Sequence, residues 1–121
     1  MKIICAQNVR NESMIEFVSD DVSLHDSPER FYAAAMRALF RGTDSDENFE
    51  KYLSSARQKS RSAAELRSAI AQLLKITPMP DYTPELGDVS SVCSFRTEWN
   101  AEAYVWRSGQ LYWLVCWGTA A

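Results

Sequence analysis

The sequence predicts an α+β fold in which an N-terminal β-hairpin, three helices and a C-terminal antiparallel three-stranded meander follow in the order ββαααβββ. Strand-favouring residues are concentrated at both ends of the chain, and apolar residues recur with helical periodicity in its middle. Pro78, Pro80 and Pro84 separate the last helix from the final strands. With 121 residues, the chain fits a single domain spanning 1–121.

The N-terminal hairpin is predicted from two short runs of strand-favouring residues, Ile3 to Val9 and Met14 to Val18. The polar stretch from Arg10 to Ser13 lies between them and is tolerant of a turn. Residues 19–26 are polar and acidic, which predicts a connection rather than an element of the core.

The first helix is predicted to begin with Ser27 as N-cap and Pro28 at the first helical position. Apolar residues recur at i, i+4 and i+8 from Phe31 to Leu39, so one side of the helix is predicted to be buried. Gly42 is the residue type that commonly ends a helix, and we expect the stop there.

Two further helices are predicted before the prolines. The second runs from about Ser45 to Arg57. Its candidate N-caps are Thr43, Asp44 and Ser45. The third begins at a capping box formed by Ser62 and Glu65 and must end before Pro78.

The C-terminal meander turns at Ser108-Gly109, a tight-turn signal that predicts a two-residue loop. In this register Trp106 pairs with Leu111 and Tyr104 pairs with Trp113. Because successive side chains of a strand alternate between faces, these four residues are expected to share one face of the sheet. The opposite face is then formed by Ala101, Ala103, Val105, Tyr112 and Leu114.

A second tight turn is expected at Trp99-Asn100, which would place Phe95 beside Tyr104 and Trp113 in a cross-strand row. The sheet is then apolar on both faces, unlike an antiparallel sheet with one wet face. One face is expected to cover all three helices. The other is expected to be covered by the N-terminal hairpin, by a second copy of the chain or by a partner.

Composition and charge argue against several classes of function. The formal net charge of −3 disfavours binding to nucleic acid, whose affinity depends on neutralising phosphates. No apolar run approaches the length needed to span a bilayer, so no membrane association is expected. Cys5, Cys93 and Cys116 lack the spacing of a disulfide framework or a zinc site, and we interpret them as buried thiols of a cytoplasmic protein. A bridge between two of them stays open.

Catalytic chemistry is poorly represented in the sequence. His25 is the only histidine and falls in a predicted loop. The acids around it lack the ligand spacing of a calcium loop, so a solvated acidic edge is expected. No catalytic residue, metal ligand or cofactor is predicted, and we expect the protein not to be an enzyme. A hydrolase using Glu98 or Glu102 would require a cleft and a carboxyl group with a raised pKa.

The leading functional hypothesis is a non-enzymatic protein-binding domain, and more specifically a bacterial immunity or inhibitor protein that masks a toxin or an enzyme. A basic partner suits the acidic chain, and a homodimer is the other association considered. All four tryptophans lie between residues 99 and 117, and tyrosine and tryptophan are enriched at binding hot spots. The predicted partner-binding residues are Phe95, Glu98, Trp99, Glu102, Tyr104, Trp106 and Trp113. The alternative is a ligand- or glycan-binding domain that uses Trp99, Trp106 or Trp113 as a stacking platform.

Overall fold

The strands from both ends of the chain join in one antiparallel sheet. A computed structural model describes residues 1–40 and 46–120, with the backbone alone at Asp46. The elements are β1 (Lys2–Asn8), β2 (Ser13–Asp21), α1 (Pro28–Leu39), α2 (Asp46–Ser54), β3 (Lys59–Ser60), α3 (Ala63–Ile76), β4 (Ser90–Glu98), β5 (Ala101–Ser108) and β6 (Leu111–Thr119). The strand order is β1-β2-β6-β5-β4-β3. The α+β class, the hairpin, the three helices and the meander are confirmed.

The N-terminal hairpin extends the meander instead of covering it. β2 pairs with β6 along its whole length, from Ser13 opposite Thr119 to Asp21 opposite Leu111. The expectation that the hairpin could cover a face of the sheet is therefore wrong. The two-residue strand β3 was not predicted, and it pairs with β4 at the other edge of the sheet.

The helices lie on both faces of the sheet, which corrects the expectation that all three cover one face. Phe31 and Met36 of α1 pack against Val105 and Leu114 on one side, with α2 beside them; we call this side the α1 face. On the other side, the α3 face, Leu66, Ile70 and Leu73 pack against a second buried cluster. That cluster includes Phe17, Tyr104, Trp106, Val115 and Trp117. Because both faces are apolar, each is stabilised by its own helical cover.

The predicted helix starts are borne out where the structure describes them. Ser27 Oγ accepts a hydrogen bond of 3.1 Å from the Arg30 amide. In the capping box of α3, Ser62 Oγ accepts from the Glu65 amide at 3.0 Å, and Glu65 Oε1 accepts from the Ser62 amide at 2.9 Å. The predicted stop at Gly42 and the candidate caps Thr43, Asp44 and Ser45 lie outside the described residues. α2 ends at Ser54, earlier than the predicted Arg57.

The turn between β5 and β6 is formed by Gly109-Gln110, one residue later than predicted. Ser108 pairs with Leu111, and Trp106 therefore pairs with Trp113 instead of Leu111. Gly109 has a φ of 59°, the left-handed conformation that a type II′ turn requires at its first central position. The correction moves each pairing by two residues, so the predicted sharing of faces is preserved.

Phe95 lies on the opposite face from the one predicted. The turn at Trp99-Asn100 is confirmed, because Glu98 pairs with Ala101. The ladder then shifts from Arg96 opposite Ala103 to Ser94 opposite Tyr104, which leaves Phe95 as the extra residue of a β-bulge. Its ring stacks on Tyr32 of α1 with centroids 4.2 Å apart. Phe95 therefore does not join the row of Tyr104 and Trp113.

Trp106 and Trp99 provide a direct test of this arrangement. Trp106 is 1% exposed and Trp99 is 78% exposed. We expect Trp106→Ala to lower the free energy of unfolding by about 3–5 kcal/mol, because it removes a large buried side chain and leaves a cavity. Trp99→Ala should change it by less than about 0.5 kcal/mol. Urea denaturation followed by far-UV circular dichroism measures both. Equal effects of the two substitutions would contradict the assignment of Trp106 to the core.

Candidate functional site

Small side chains form a depression on the α1 face near one end of the sheet. Two adjacent cross-strand rows lie there, and each runs from β2 through β6 and β5 to β4. The rows are Glu16–Cys116–Ala103–Arg96 and Met14–Gly118–Ala101–Glu98. In both rows the two central positions are small and the flanking ones are long. The side chains of these rows therefore project less far from the sheet over β5 and β6 than over β2 and β4.

A cavity of about 520 Å³ lies over this depression. Ala101, Cys116 and Gly118 line it from the sheet, and Glu16 lines it from β2. The helical side is lined by Phe40, at the end of α1, and by Phe49 and Tyr52 of α2. A volume of this size lies within the range of small-molecule sites, which are mostly apolar with a few polar groups.

Glu16 is the principal polar group of the cavity. Glu16 as a whole is only 7% exposed. Within the part of the chain that the structure describes, its carboxyl group forms no hydrogen bond or ion pair. Burial removes water from the carboxylate and raises the pKa of Glu16 to about 7. The group is therefore poised to gain or lose a proton near neutral pH.

Thiols flank Glu16 on both neighbouring strands. Cys5 lies opposite it on β1 and is exposed, whereas Cys116 lies opposite it on β6 and is buried. Burial, followed by the negative charge of Glu16, raises the pKa of the Cys116 thiol well above its usual range. Cys116 thus stays protonated at neutral pH and is a poor nucleophile. All three cysteines are free, and the interpretation of Cys5 as a buried thiol is wrong, because β1 is an edge strand.

The nearest buried cation in the same row, Arg96, is already committed to other groups. Its guanidinium donates to Glu98 Oε1 at 2.9 Å and to Ser55 Oγ at 2.6 Å, and it also donates to the Tyr52 carbonyl oxygen. It lies 3.7 Å from the centroid of the Tyr52 ring. Arg96 therefore fixes the end of α2 against β4 and leaves the charge of Glu16 uncompensated.

The structure separates the predicted partner-binding aromatic residues. Phe95, Tyr104 and Trp106 are buried in the core, so they offer no surface to a partner in this conformation. Trp113 is half-buried and stacks on Trp106, with centroids 6.2 Å apart. Only Trp99 is freely exposed, at the turn between β4 and β5.

Glu98 and Glu102 are placed on opposite faces of the sheet and do not form a carboxylate pair. Glu98 belongs to the α1 face and lies against Arg96. Glu102 belongs to the α3 face, where its Oε1 lies 3.5 Å from the hydroxyl group of Tyr104. Burial raises the pKa of Glu102. Because they face opposite sides of the sheet, Glu98 and Glu102 cannot act as a pair in one cleft.

The acidic edge near the first helix is organised by His25. Its Nε2 lies 2.8 Å from Asp20 Oδ2, and its ring packs against Phe31. Across residues 1–40 and 46–120, no group of three or more histidine, cysteine, aspartate or glutamate side chains is arranged to hold a metal ion. None of the helices in those ranges is long and apolar enough to cross a membrane.

Comparison with known proteins adds no relative: no protein-family model, no curated protein and no solved structure gives a significant match to this chain. We therefore infer the function from the geometry of the cavity.

Glu16 was missed by the sequence analysis, although a signal for it exists. Met14, Glu16 and Val18 alternate onto one face of a predicted strand, and an acid in such a position predicts either a wet face or a buried carboxyl group. The small residue Ala101 was likewise assigned to an apolar face, without the inference that a space would lie above it.

Glu16 should make the stability of the protein pH-dependent. Its carboxyl group has a higher pKa in the folded chain than in the unfolded chain, so the folded state binds more protons between about pH 4.5 and pH 7. The contribution of protonated Glu16 to the free energy of unfolding is fully present below about pH 4.5 and is lost as the pH rises towards 7. We expect Glu16→Gln to remove this loss, so that its stability relative to the natural protein rises by up to about 3 kcal/mol between pH 4.5 and pH 8.

Urea denaturation from pH 4.5 to pH 8 measures this difference. Glu85→Gln is the matched control, because Glu85 is exposed in the connector before β4. Its curve should run parallel to that of the natural protein. A parallel curve for Glu16→Gln as well would show that Glu16 is ionised in the folded state at an ordinary pKa.

Proposed function

We propose that this protein is a non-enzymatic binding domain whose ligand, a small organic molecule, occupies the cavity on the α1 face. The observation that carries the proposal is Glu16, a residue only 7% exposed, whose carboxyl group has no partner among the described residues and lies in the wall of a cavity of about 520 Å³. The proposal keeps the ligand-binding alternative drawn from the sequence and moves its site away from Trp99, Trp106 and Trp113.

Leaving the buried carboxyl group of Glu16 without a partner is energetically unfavourable. A buried polar group without a hydrogen bond costs about 1–3 kcal/mol, and more when it is charged. Hydrophobic cores avoid this cost by excluding such groups. Here the group faces an open cavity, where a ligand could supply the missing partner. The protein therefore has a polar contact available for binding that folding itself leaves unused.

The remaining walls favour a ligand with a substantial apolar portion. Phe40, Phe49 and Tyr52 line one side, and Ala101 and Gly118 line the floor. Burial of apolar surface supplies affinity, while one fixed polar group supplies orientation. This division of roles is typical of small-molecule sites.

Two features favour binding over catalysis. Cys116, the thiol nearest to Glu16 on the cavity floor, is held protonated by its burial. Glu16 forms no hydrogen bond with a second functional side chain among the described residues, whereas a nucleophile or acid–base pair requires such a contact. A domain that binds without transforming its ligand agrees with both features.

Filling the cavity should weaken ligand binding. Ala101→Leu places a larger side chain on the cavity floor, and Ala71→Leu makes the same change on the exposed side of α3 as a control. We expect a fragment library, screened by ligand-observed NMR, to yield ligands that shift the backbone amides of Glu16, Cys116 and Gly118. Ala101→Leu should weaken those ligands by at least about tenfold, since it occupies their volume. Ala71→Leu should bind them normally. If no fragment shifts these amides, the proposal fails.

A second candidate function is supported by Trp99. Its indole is 78% exposed at the tip of the β4–β5 hairpin, with Glu98 beside it and Glu102 two residues into β5. Tryptophan is the residue most enriched at binding hot spots, and adjacent carboxylates suit a basic partner. We therefore retain, as an alternative proposal, a protein-binding role in which this tip masks a toxin or an enzyme, as immunity and inhibitor proteins do.

The role of the β4–β5 hairpin tip in protein binding is tested by comparing substitutions of two exposed apolar residues at separate places. Tagged natural protein, Trp99→Ala and Leu24→Ala are each incubated with native lysate and washed at low and high salt. Leu24 is the control because it is 67% exposed in the connection before α1. The alternative expects one stoichiometric partner that elutes at high salt, is lost by at least about tenfold with Trp99→Ala, and is kept by Leu24→Ala. Equal capture by all three chains would contradict a role for Trp99.

A further inference from the structure

The charged residues that line the cavity in the described part of the chain are acidic. Glu12 and Glu16 both line it, and no lysine or arginine does so among the residues that the structure describes. The nearby cations of the helical cover are engaged elsewhere. Arg37 pairs with Glu50 at 3.1 Å, and Lys51 lies 3.6 Å from Glu47. The described part of the cavity wall therefore favours positive charge in its ligand.

The aromatic wall has the same preference. Phe40 and Phe49 approach each other with ring centroids 6.3 Å apart, and Tyr52 lines the cavity beside them. Aromatic faces carry negative electrostatic potential and attract organic cations, most strongly where water is excluded. Apolar surface, aromatic faces and a buried acid thus occur together in one cavity.

We infer that the cavity selects an organic cation, an amine whose ammonium group pairs with the Glu16 carboxylate while its apolar portion lies against Phe40, Phe49 and Tyr52. The inference rests on the proposed function, because it requires the cavity to be a ligand site.

An anionic ligand would be repelled by Glu12 and Glu16. A neutral ligand could accept a hydrogen bond from protonated Glu16, but a charge-assisted bond between ammonium and carboxylate is roughly twice as strong. The usual objection to a buried ion pair is the cost of removing water from both charges. Above pH 7, where Glu16 is ionised in the folded chain, folding has already removed much of the water around its carboxylate, so binding adds mainly the cost for the amine.

The inference predicts that binding depends on pH, through Glu16 and not through its neighbours. The groups that face or flank Glu16 are Cys5, Glu12, Tyr52, Cys116 and, at the far end of its row, Arg96. Burial raises the pKa of both Tyr52 and Cys116, so neither becomes charged at neutral pH. With a Glu16 pKa of about 7, the competent carboxylate is about tenfold less populated at pH 6 than at pH 8.

The test uses three probes of similar shape: 2-phenylethylammonium, 2-phenylethanol and 3-phenylpropionate. Isothermal titration calorimetry at pH 6 and pH 8, in two buffers of different protonation enthalpy, measures affinity and proton release together. We expect the amine to bind tightest, about tenfold more weakly at pH 6 than at pH 8, and to displace a proton from the protein at pH 6. The carboxylate should bind weakest.

Two variants assign the effect to its group. Glu16→Gln should weaken amine binding at pH 8 by at least about tenfold and remove its pH dependence, while leaving 2-phenylethanol bound as before. Cys5→Ser, which changes the exposed neighbour of Glu16, should keep both the affinity and the pH dependence.

The outcomes distinguish the inference from the proposed function. If the alcohol binds as tightly as the amine, or if amine binding is equal at both pH values, the cavity is a ligand site but not one for cations. If none of the three probes binds and the fragment library also fails, the proposed function fails and the inference fails with it.

Discussion

The whole architecture depends on a sheet that is apolar on both faces. Trp106 and Val105 are adjacent in β5, point to opposite sides and are both fully buried. Such a sheet cannot leave either side in water, so the chain must place a helical layer on each. α1 and α2 cover one face, whereas α3 and the proline-containing connector cover the other. The position of the cavity follows from how completely each cover fits.

The two covers differ in that respect. On the α3 face, large side chains such as Phe17, Trp106 and Trp117 meet the helix directly. On the α1 face, the small residues Ala101, Cys116 and Gly118 line a cavity instead of filling the space below the helical cover. Phe40, Phe49 and Tyr52 border this space on the helical side. The cavity is therefore a consequence of side-chain size along two rows of the sheet, and Glu16 lies at its border because it ends one of those rows.

Local signals in the sequence predicted the elements well and their assembly less well. The capping box at Ser62 and the turn at Trp99-Asn100 depend on neighbouring residues, so they could be predicted without knowledge of the fold. The bulge at Phe95 places its ring against Tyr32 of α1, a contact between distant residues that no local pattern encodes. For Glu16, the alternation along β2 signals either a wet face or a buried carboxyl group, but the choice between them depends on β6 and the helical cover, which are distant in the sequence.

The burial of Glu16 is the strongest physical argument that the cavity has a function. An apolar side chain at position 16 would lie beside Val18 on the α1 face of β2, and it would avoid the desolvation of a carboxylate. Glutamate instead carries a cost that grows as the pH rises through its raised pKa. Proteins commonly retain such locally unfavourable groups at sites where binding uses them. Trp99 needs no comparable explanation, because a single exposed tryptophan costs the fold little. This difference in cost places the cavity ahead of the hairpin tip.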